Sequence, residues 1–166
     1  NYDFIEIFNY GAHTHSDLGD SELYFDELLK TNKVTALAAD DNHNSNRYVP
    51  GIHMYDSFGG FVMLQMDEFS RQGVSDALKR GSFYASSGPE IYQFSRSENQ
   101  ITVTCSEVSS IVFKAWPRRG TRIFQNSQKL MTSATYTLRG GEKWIRVKCI
   151  DEKGRCAWSN PIYLED

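Results

Sequence analysis

The chain has 166 residues, 40% of them hydrophobic, and a formal net charge of −3. This apolar content supports a folded core and excludes a disordered chain. The slightly acidic balance gives no support for nucleic-acid binding, and the nearest basic candidate, Trp116-Pro117-Arg118-Arg119, is interpreted as a solvated turn. Because no apolar run approaches the ~20 residues that span a bilayer, no membrane contact is predicted.

Residues 1–90 alternate between strand-like and helix-like patterns. The predicted strands cover 4–8, 34–39, 61–64 and 82–85, and the predicted helices cover 21–32 and 70–81. Asp20 or Ser21 is expected to cap the first helix. Ser70 is expected to cap the second helix, which ends at Gly81. Alternation of this kind is typical of an α/β unit.

Residues 91–166 contain only strand-like runs separated by turns. In the run 144–149, Trp, Arg and Lys alternate with Ile, Val and Cys, which is the two-residue period of a sheet with one wet face. Turn residues recur about every 8–12 residues, as in a β-sandwich. The predicted fold class is therefore α/β followed by all-β, with a first domain over 1–90 and an Ig-like β-sandwich over 91–166.

The three cysteines are an odd number, which argues against a framework of disulfides. Cys149 and Cys156 flank a predicted hairpin turn, so the two are expected to face each other across paired strands. The preferred interpretation is buried, reduced thiols. The sequence does not determine the compartment, and a cytoplasmic location is favoured.

The segment 38–44, AADDNHN, is the most informative stretch of the chain. It continues past an apolar strand, so Asp41 and His43 lie just beyond that strand's carboxyl end, where α/β proteins gather ligands and metals. A carboxylate oxygen and an imidazole nitrogen together suit Zn, Mn or Fe. The same Asp-x-His pattern is common in loops without metal, so both interpretations stay open. Asp40 is expected to accept backbone N–H bonds instead.

Glu6 is a lone carboxylate inside the apolar strand 4–8. A charge at such a position needs water, a partner, a cation or a cavity. It is interpreted either as a residue on the wet face of a sheet or as a metal ligand or a group that supports one. Asn9, just past the same strand, is expected to hydrogen-bond within the same pocket.

His13 and His15 stand two residues apart and are followed by Asp17. On an extended chain two such imidazoles point the same way, as in a metal motif. The surrounding stretch, 11–19, has the composition of a loop, so a loop is preferred and the three residues are weaker metal candidates. His53 is assigned no role.

The order of these pieces resembles the C-terminal part of a PHP (polymerase and histidinol phosphatase) domain. The matching runs are FIEIFN at 4–9, GDS at 19–21, AADDNHN at 38–44, GGFVM at 59–63 and ALKRGSFYASSGP at 77–89. The resemblance covers 1–90, and it covers 91–166 only by position, as a small β-domain that trails the barrel. It implies that 1–90 is part of a distorted (β/α)7 barrel.

The resemblance also implies up to three divalent metals at the strand ends and hydrolysis of phosphoester bonds. Asp41 and His43 match the family's last Asp-x-His motif and are implied metal ligands, whereas Glu6 matches only an acidic strand position. The family's opening His-x-His motif is missing upstream. His13 and His15 imitate it, but they follow the first strand, and we interpret the imitation as coincidental.

Two functions are predicted from these patterns. The first is the C-terminal portion of a PHP-type metal-dependent phosphoesterase, with a divalent metal (Mn, Zn or Fe) in an incomplete site and a phosphoester substrate. The second is a non-catalytic binding or structural module with a vestigial metal site and a partner-binding β-sandwich. A chain that begins with Asn1 is expected either to be a fragment of something longer or to pair with another chain. An incomplete barrel would expose strand edges for self-association.

Overall fold

The computed structural model describes residues 3–43, 56–126 and 129–164. The helices in these ranges are α1 (Tyr10–Ser16), α2 (Glu22–Leu28) and α3 (Arg71–Arg80). The strands are β1 (Phe4–Asn9), β2 (Thr35–Ala39), β3 (Phe61–Leu64), β4 (Phe83–Ser86), β5 (Ile91–Ser97), β6 (Gln100–Val108), β7 (Ser110–Trp116), β8 (Thr121–Phe124), β9 (Met131–Thr137), β10 (Trp144–Ile150), β11 (Cys156–Ser159) and β12 (Ile162–Tyr163).

The predicted fold class, an α/β part of a (β/α)7 barrel followed by an Ig-like sandwich, is wrong. The structure is 45% strand and 16% helix, and its three helices have seven, seven and ten residues. A (β/α)7 barrel needs a helix after nearly every strand, whereas parallel pairing within the described ranges is confined to β1 and β2. The chain is a mostly-β protein built from open sheets.

Strands β1 and β2 pair in parallel, in a register that places Asn9 opposite Ala39. Helix α2 lies in the connection between the two strands, where Ile7 and Phe25 are fully buried in one core cluster. Because parallel strands run in the same direction, β1 and β2 end at the same edge of the sheet. The segments that follow both strands are therefore brought together.

The largest sheet has seven strands in the order β3-β4-β11-β10-β7-β8, and β12 also pairs with β10. Ala85 of β4 lies opposite Trp158 of β11, so this sheet takes strands from both sides of residue 90, which an Ig-like sandwich of 91–166 would not. The division into two domains stays a prediction. The three-stranded sheet β5-β6-β9 shares a core with the larger sheet through residues such as Ile101, Val103 and Val147.

Local capping follows the sequence closely. The Ser70 hydroxyl accepts a hydrogen bond from the Gly73 N–H at 3.0 Å, and Gly81 ends α3 with a φ of +69°. At α2 the Asp20 carboxylate accepts from the Glu22 N–H at 2.8 Å. These contacts confirm the caps predicted for both helices.

No helix in the described ranges is long and apolar enough to cross a membrane.

The three cysteines are buried and free. Cys149 lies opposite Ala157 and Cys156 lies opposite Ile150. Adjacent positions on a strand project to opposite faces, so the two thiols lie on opposite faces of the sheet, one in each core cluster. The expectation that they face each other is therefore wrong.

A buried ion-pair network fastens α2 to the seven-stranded sheet. Glu22 and Asp26 of α2 meet Lys114 of β7 and Arg146 and Lys148 of β10. Burial raises the pKa of Glu22, but the attraction of Arg146 and Lys148 and hydrogen bonds from the two lysines outweigh it, so the pKa lies well below its usual range. Glu22 is therefore ionised in the folded protein.

Candidate metal centre

The residues predicted as metal ligands meet at the common edge of β1 and β2. Glu6 projects from β1 and Asn9 is its last residue, while Asp41 and His43 follow β2 by two and four residues. The Glu6 and Asp41 side chains both reach the solvent. The parallel register of the two strands is what gathers these residues from distant parts of the sequence.

Asn9 bridges the two carboxylates. Its amide nitrogen Nδ2 donates to Glu6 Oε2 at 3.0 Å and to Asp41 Oδ2 at 3.2 Å. Its Oδ1 accepts from the Ala12 N–H at 2.8 Å, because Asn9 is also the N-cap of α1. The helix cap thus orients the amide, and the two carboxylate oxygens lie within two hydrogen-bond lengths of each other. The two exposed carboxylates give this edge of the sheet a local negative charge.

His43 presents one ring nitrogen as a lone-pair donor. Its Nδ1 lies 2.6 Å from the backbone carbonyl oxygen of Asp41. A carbonyl oxygen only accepts, so Nδ1 is the donor in this contact, and in the neutral tautomer that makes it Nε2 holds the lone pair. Metal-ligating histidines are commonly oriented by such a bond to a backbone carbonyl. The His43 side chain is 70% exposed, so Nε2 is accessible from solvent.

The backbone at Asp41 is in the left-handed region, with a φ of +51°. Residues other than glycine adopt this region rarely, and such conformations cluster at functional sites. Helix α1 packs against the same turn, since the Gly11 N–H donates to the Asp40 carbonyl at 2.9 Å. A Cβ at Gly11 would stand 3.0 Å from that oxygen and 3.3 Å from the Asp41 carbonyl oxygen. The absence of a side chain at Gly11 therefore lets the turn and the helix meet.

Asp40 takes the structural role predicted for it. Its carboxylate accepts backbone N–H bonds from Phe58, Gly59 and Gly60 at 2.6, 2.8 and 2.8 Å. These bonds fasten the segment that leads into β3 against the end of β2. Since its oxygens are engaged in this way, Asp40 is a support for the site rather than a ligand.

His13 and His15 do not lie in a loop, contrary to prediction, but in helix α1. Positions i and i+2 of a helix point in nearly opposite directions, so the two imidazoles diverge. The His13 ring lies 5.2 Å from the Phe8 ring and its Nδ1 lies 4.0 Å from Asp17 Oδ1. His15 Nδ1 lies 2.8 Å from the Gly11 carbonyl oxygen. These residues therefore do not form a joint site.

The donor set of the candidate centre is small. Within the described ranges, no group of three or more His, Cys, Asp or Glu side chains is arranged to hold a metal. Asp41 and His43 supply one carboxylate and one imidazole. Glu6 is linked to Asp41 by the Asn9 amide, which donates a hydrogen bond to each carboxylate. This set fits Zn, Mn or Fe by ligand type. His53 lies outside the described residues.

Comparisons of the chain with protein-family models, with curated proteins and with solved structures gave no match. The resemblance to the PHP domain therefore stays a prediction, and the function rests on the geometry of the residues described above.

Proposed function

We propose that this chain supplies part of the divalent metal centre of a PHP-type metal-dependent phosphoesterase. The observation that carries the proposal is the Asn9 amide, which holds Glu6 and Asp41 together beside His43 at one edge of the parallel strands. Carboxylate and imidazole are the ligand types that such a centre uses.

Each residue has a distinct part in this proposal. Asp41 and His43 would hold the cation with a carboxylate and an imidazole, and Asn9 fixes the Asp41 carboxylate by donating to its Oδ2. Glu6 adds a second negative charge, which strengthens cation binding. When bound, a divalent metal polarises a phosphoryl oxygen and lowers the pKa of water, which is the chemistry that phosphoester hydrolysis needs.

The described donors are fewer than the four ligands usual for zinc. The proposal therefore assigns the remaining ligands to water, to the substrate, or to residues outside the described ranges. A non-catalytic module with a vestigial site is the competing function, and the small donor set is the observation that favours it.

Hydrolysis of p-nitrophenyl phosphate and bis(p-nitrophenyl) phosphate tests the proposal, with the protein at its natural length and with Mn²⁺, Zn²⁺ or Fe²⁺ added. We expect metal-dependent release of p-nitrophenol that falls by at least about 100-fold in His43→Ala. His13→Ala is the matched control, because it removes an imidazole from α1 instead, and it should retain the activity. Hydrolysis that is equal with and without metal, or equal in both variants, would contradict the proposal. No hydrolysis under any condition would favour the non-catalytic module.

A further inference from the structure

Two of the three buried thiols lie next to each other between the two packed sheets. Cys105 belongs to β6 of the three-stranded sheet, and Cys149 belongs to β10 of the seven-stranded sheet. Both side chains are buried in the core cluster that the two sheets share. Their thiols are close enough to share a hydrogen bond. The pair therefore forms a contact between the sheets, although its members are far apart in the sequence.

The strand registers orient both side chains into the space between the sheets. Cys105 lies opposite Ile91 of β5, and Cys149 lies opposite Ile111 of β7. Residues directly opposite each other in an antiparallel pair project to the same face of the sheet. Ile91 and Ile111 both belong to the shared core cluster. Cys105 and Cys149 therefore point toward each other from the two sheets, as a bridge between them requires.

The two sheets approach closely where β6 faces β10. Stacked sheets normally pack about 10 Å apart. In this protein Cα atoms of β6 and β10 come within 8 Å of each other. A disulfide joins Cα atoms that are about 4.4–6.8 Å apart. A small further approach of the two strands therefore brings the sulfurs of Cys105 and Cys149 into bonding distance.

Cys156 is excluded as a partner of either thiol. It lies in the other core cluster, on the opposite face of the seven-stranded sheet from Cys149. Its Sγ donates a hydrogen bond to the Gly154 carbonyl oxygen at 3.4 Å. Because the sheet itself separates Cys156 from Cys149, Cys105 is the one thiol of the chain that Cys149 can reach.

We propose that Cys105 and Cys149 form a disulfide that bridges the two sheets when the chain folds in the presence of a small disulfide such as oxidised glutathione. The structure holds the pair in its reduced form. Bridges of this kind belong to proteins that fold in an oxidising compartment. The bridge is independent of the candidate metal centre, because neither cysteine contributes to that centre.

The bridge forms by two steps of thiol–disulfide exchange. The thiolate of one cysteine attacks a sulfur of oxidised glutathione, which gives a mixed disulfide and releases one glutathione thiolate. The thiolate of the other cysteine then attacks the protein sulfur of the mixed disulfide and releases the second glutathione thiolate. Two protein thiols are thus oxidised to one disulfide, and one oxidised glutathione is reduced to two glutathione thiols.

The exchange takes place before the core closes. In the folded protein a hydrogen bond with Cys105 and burial both raise the pKa of the Cys149 thiol. The attacking species is the thiolate, and a buried thiol offers a soluble disulfide no access. Reduced protein that has already folded should therefore stay reduced. Protein that folds from urea in the presence of oxidised glutathione should acquire the bridge.

Peptide mapping of the full chain tests the proposal. The reduced chain is unfolded in urea, refolded with reduced and oxidised glutathione, alkylated in urea without reductant and digested with trypsin. Cleavage after lysine and arginine places the three cysteines on separate peptides, 97–114, 149–153 and 156–166. We expect a linked species of 97–114 with 149–153, which reductant separates, and an alkylated cysteine on 156–166. Export of the chain to the bacterial periplasm gives a second preparation that needs no refolding in vitro.

The stability of the bridged protein shows whether the native fold accommodates the bond. The bridge should raise the urea midpoint by about 1–2 M, and reductant should abolish this gain. In Cys105→Ala the midpoint should not depend on reductant. Cys156→Ala is the matched control, because it removes the thiol on the other face, and it should keep the full effect of reductant. Far-UV circular dichroism checks that both variants fold, and the peptide map of Cys156→Ala decides if Cys105→Ala does not.

Three results would overturn the proposal. The first is a refolded or exported protein in which all three cysteines are alkylated. The second is a linked peptide that contains Cys156 in place of Cys105 or Cys149. The third is a urea midpoint that is lower in the bridged protein than in the reduced protein, since the folded sheets would then not accommodate the bond.

Discussion

Replacing Glu22 by Gln removes one negative charge from the buried network between α2 and the seven-stranded sheet. Glu22 accepts a hydrogen bond from Arg146 at 2.8 Å, pairs with Lys114 at 2.9 Å and accepts from Lys148 at 2.5 Å. The Arg146 side chain is 0% exposed, so its charge cannot return to water when this partner is lost. Asp26 then remains as its carboxylate partner in the described structure.

The expected loss of stability is about 2–4 kcal/mol. Removing one member of a buried ion pair costs ~3–5 kcal/mol, because the remaining charge is left uncompensated. Asp26 still neutralises part of the Arg146 charge, so the expected loss of stability lies toward the lower end of this range. A domain of this size has a free energy of unfolding of only about 5–15 kcal/mol, so the change is large enough to measure easily.

Urea unfolding followed by far-UV circular dichroism measures the effect. Glu27→Gln is the matched control, because Glu27 lies on the same helix, pairs with Lys30 at 2.6 Å and has a side chain that is 59% exposed. An exposed pair of this kind contributes at most about 0.5 kcal/mol. A loss in Glu22→Gln no larger than that in Glu27→Gln would refute the reasoning from burial.

The same network gives the stability a defined pH dependence. The pKa of Glu22 is well below its ordinary value in the folded protein, because Arg146 and the two lysines outweigh the opposing effect of burial. The unfolded chain binds this proton near pH 4.3. The contribution of Glu22 is therefore fully present above about pH 5 and is lost progressively as the pH falls below that. Between about pH 5 and 3 the wild type should lose more stability than Glu22→Gln, and parallel curves would contradict this.

Three further predictions concern local features. Ser70→Ala should lower the free energy of unfolding by about 1 kcal/mol, measured with urea, because the α3 cap is lost. Gly60→Ala should lower the free energy of unfolding by more than Ser70→Ala, because its Cβ would lie 2.4 Å from the Ala39 carbonyl oxygen. A smaller loss than in Ser70→Ala would refute this close approach. In the native state none of the three thiols should react with a disulfide reagent that releases a coloured product, because all three are buried. After unfolding in urea, all three should react. The thiols are Cys105, Cys149 and Cys156.

Most local elements of the first ninety residues could be predicted, because their signals are local. The caps at Asp20 and Ser70 and the glycine at 81 lie where the pattern places them. Helix α1 was not predicted, because its sequence contains Gly11 and the β-branched Thr14 and shows no helical period of apolar residues. Asn9 was the one available signal, since asparagine is among the preferred N-caps.

The sheet topology could not be predicted, because strand pairing depends on contacts between distant residues. Nothing near Ala85 indicates that β4 pairs with β11 around Trp158. The resemblance to a barrel family therefore suggested a closed parallel sheet where open sheets are observed.

Part of the candidate metal centre could be predicted from the sequence. Asn9 and Asp41 lie at or just past the ends of their strands, and parallel pairing of neighbouring strands brings such ends together. The ion pairs of Lys114 could not be predicted, since its partners Asp26 and Glu22 lie 88 and more residues away in the sequence.

The metal content of the purified chain tests the central claim most directly. The chain is incubated with Mn²⁺, Zn²⁺ or Fe²⁺, desalted, and analysed for metal alongside His43→Ala, Asp41→Asn and the control His13→Ala. We predict about one retained metal per chain in the wild type and in the control, and loss of that metal in the other two variants. No retained metal in the wild type, or equal retention in His43→Ala, would contradict the assignment of this edge of the sheet as a metal centre.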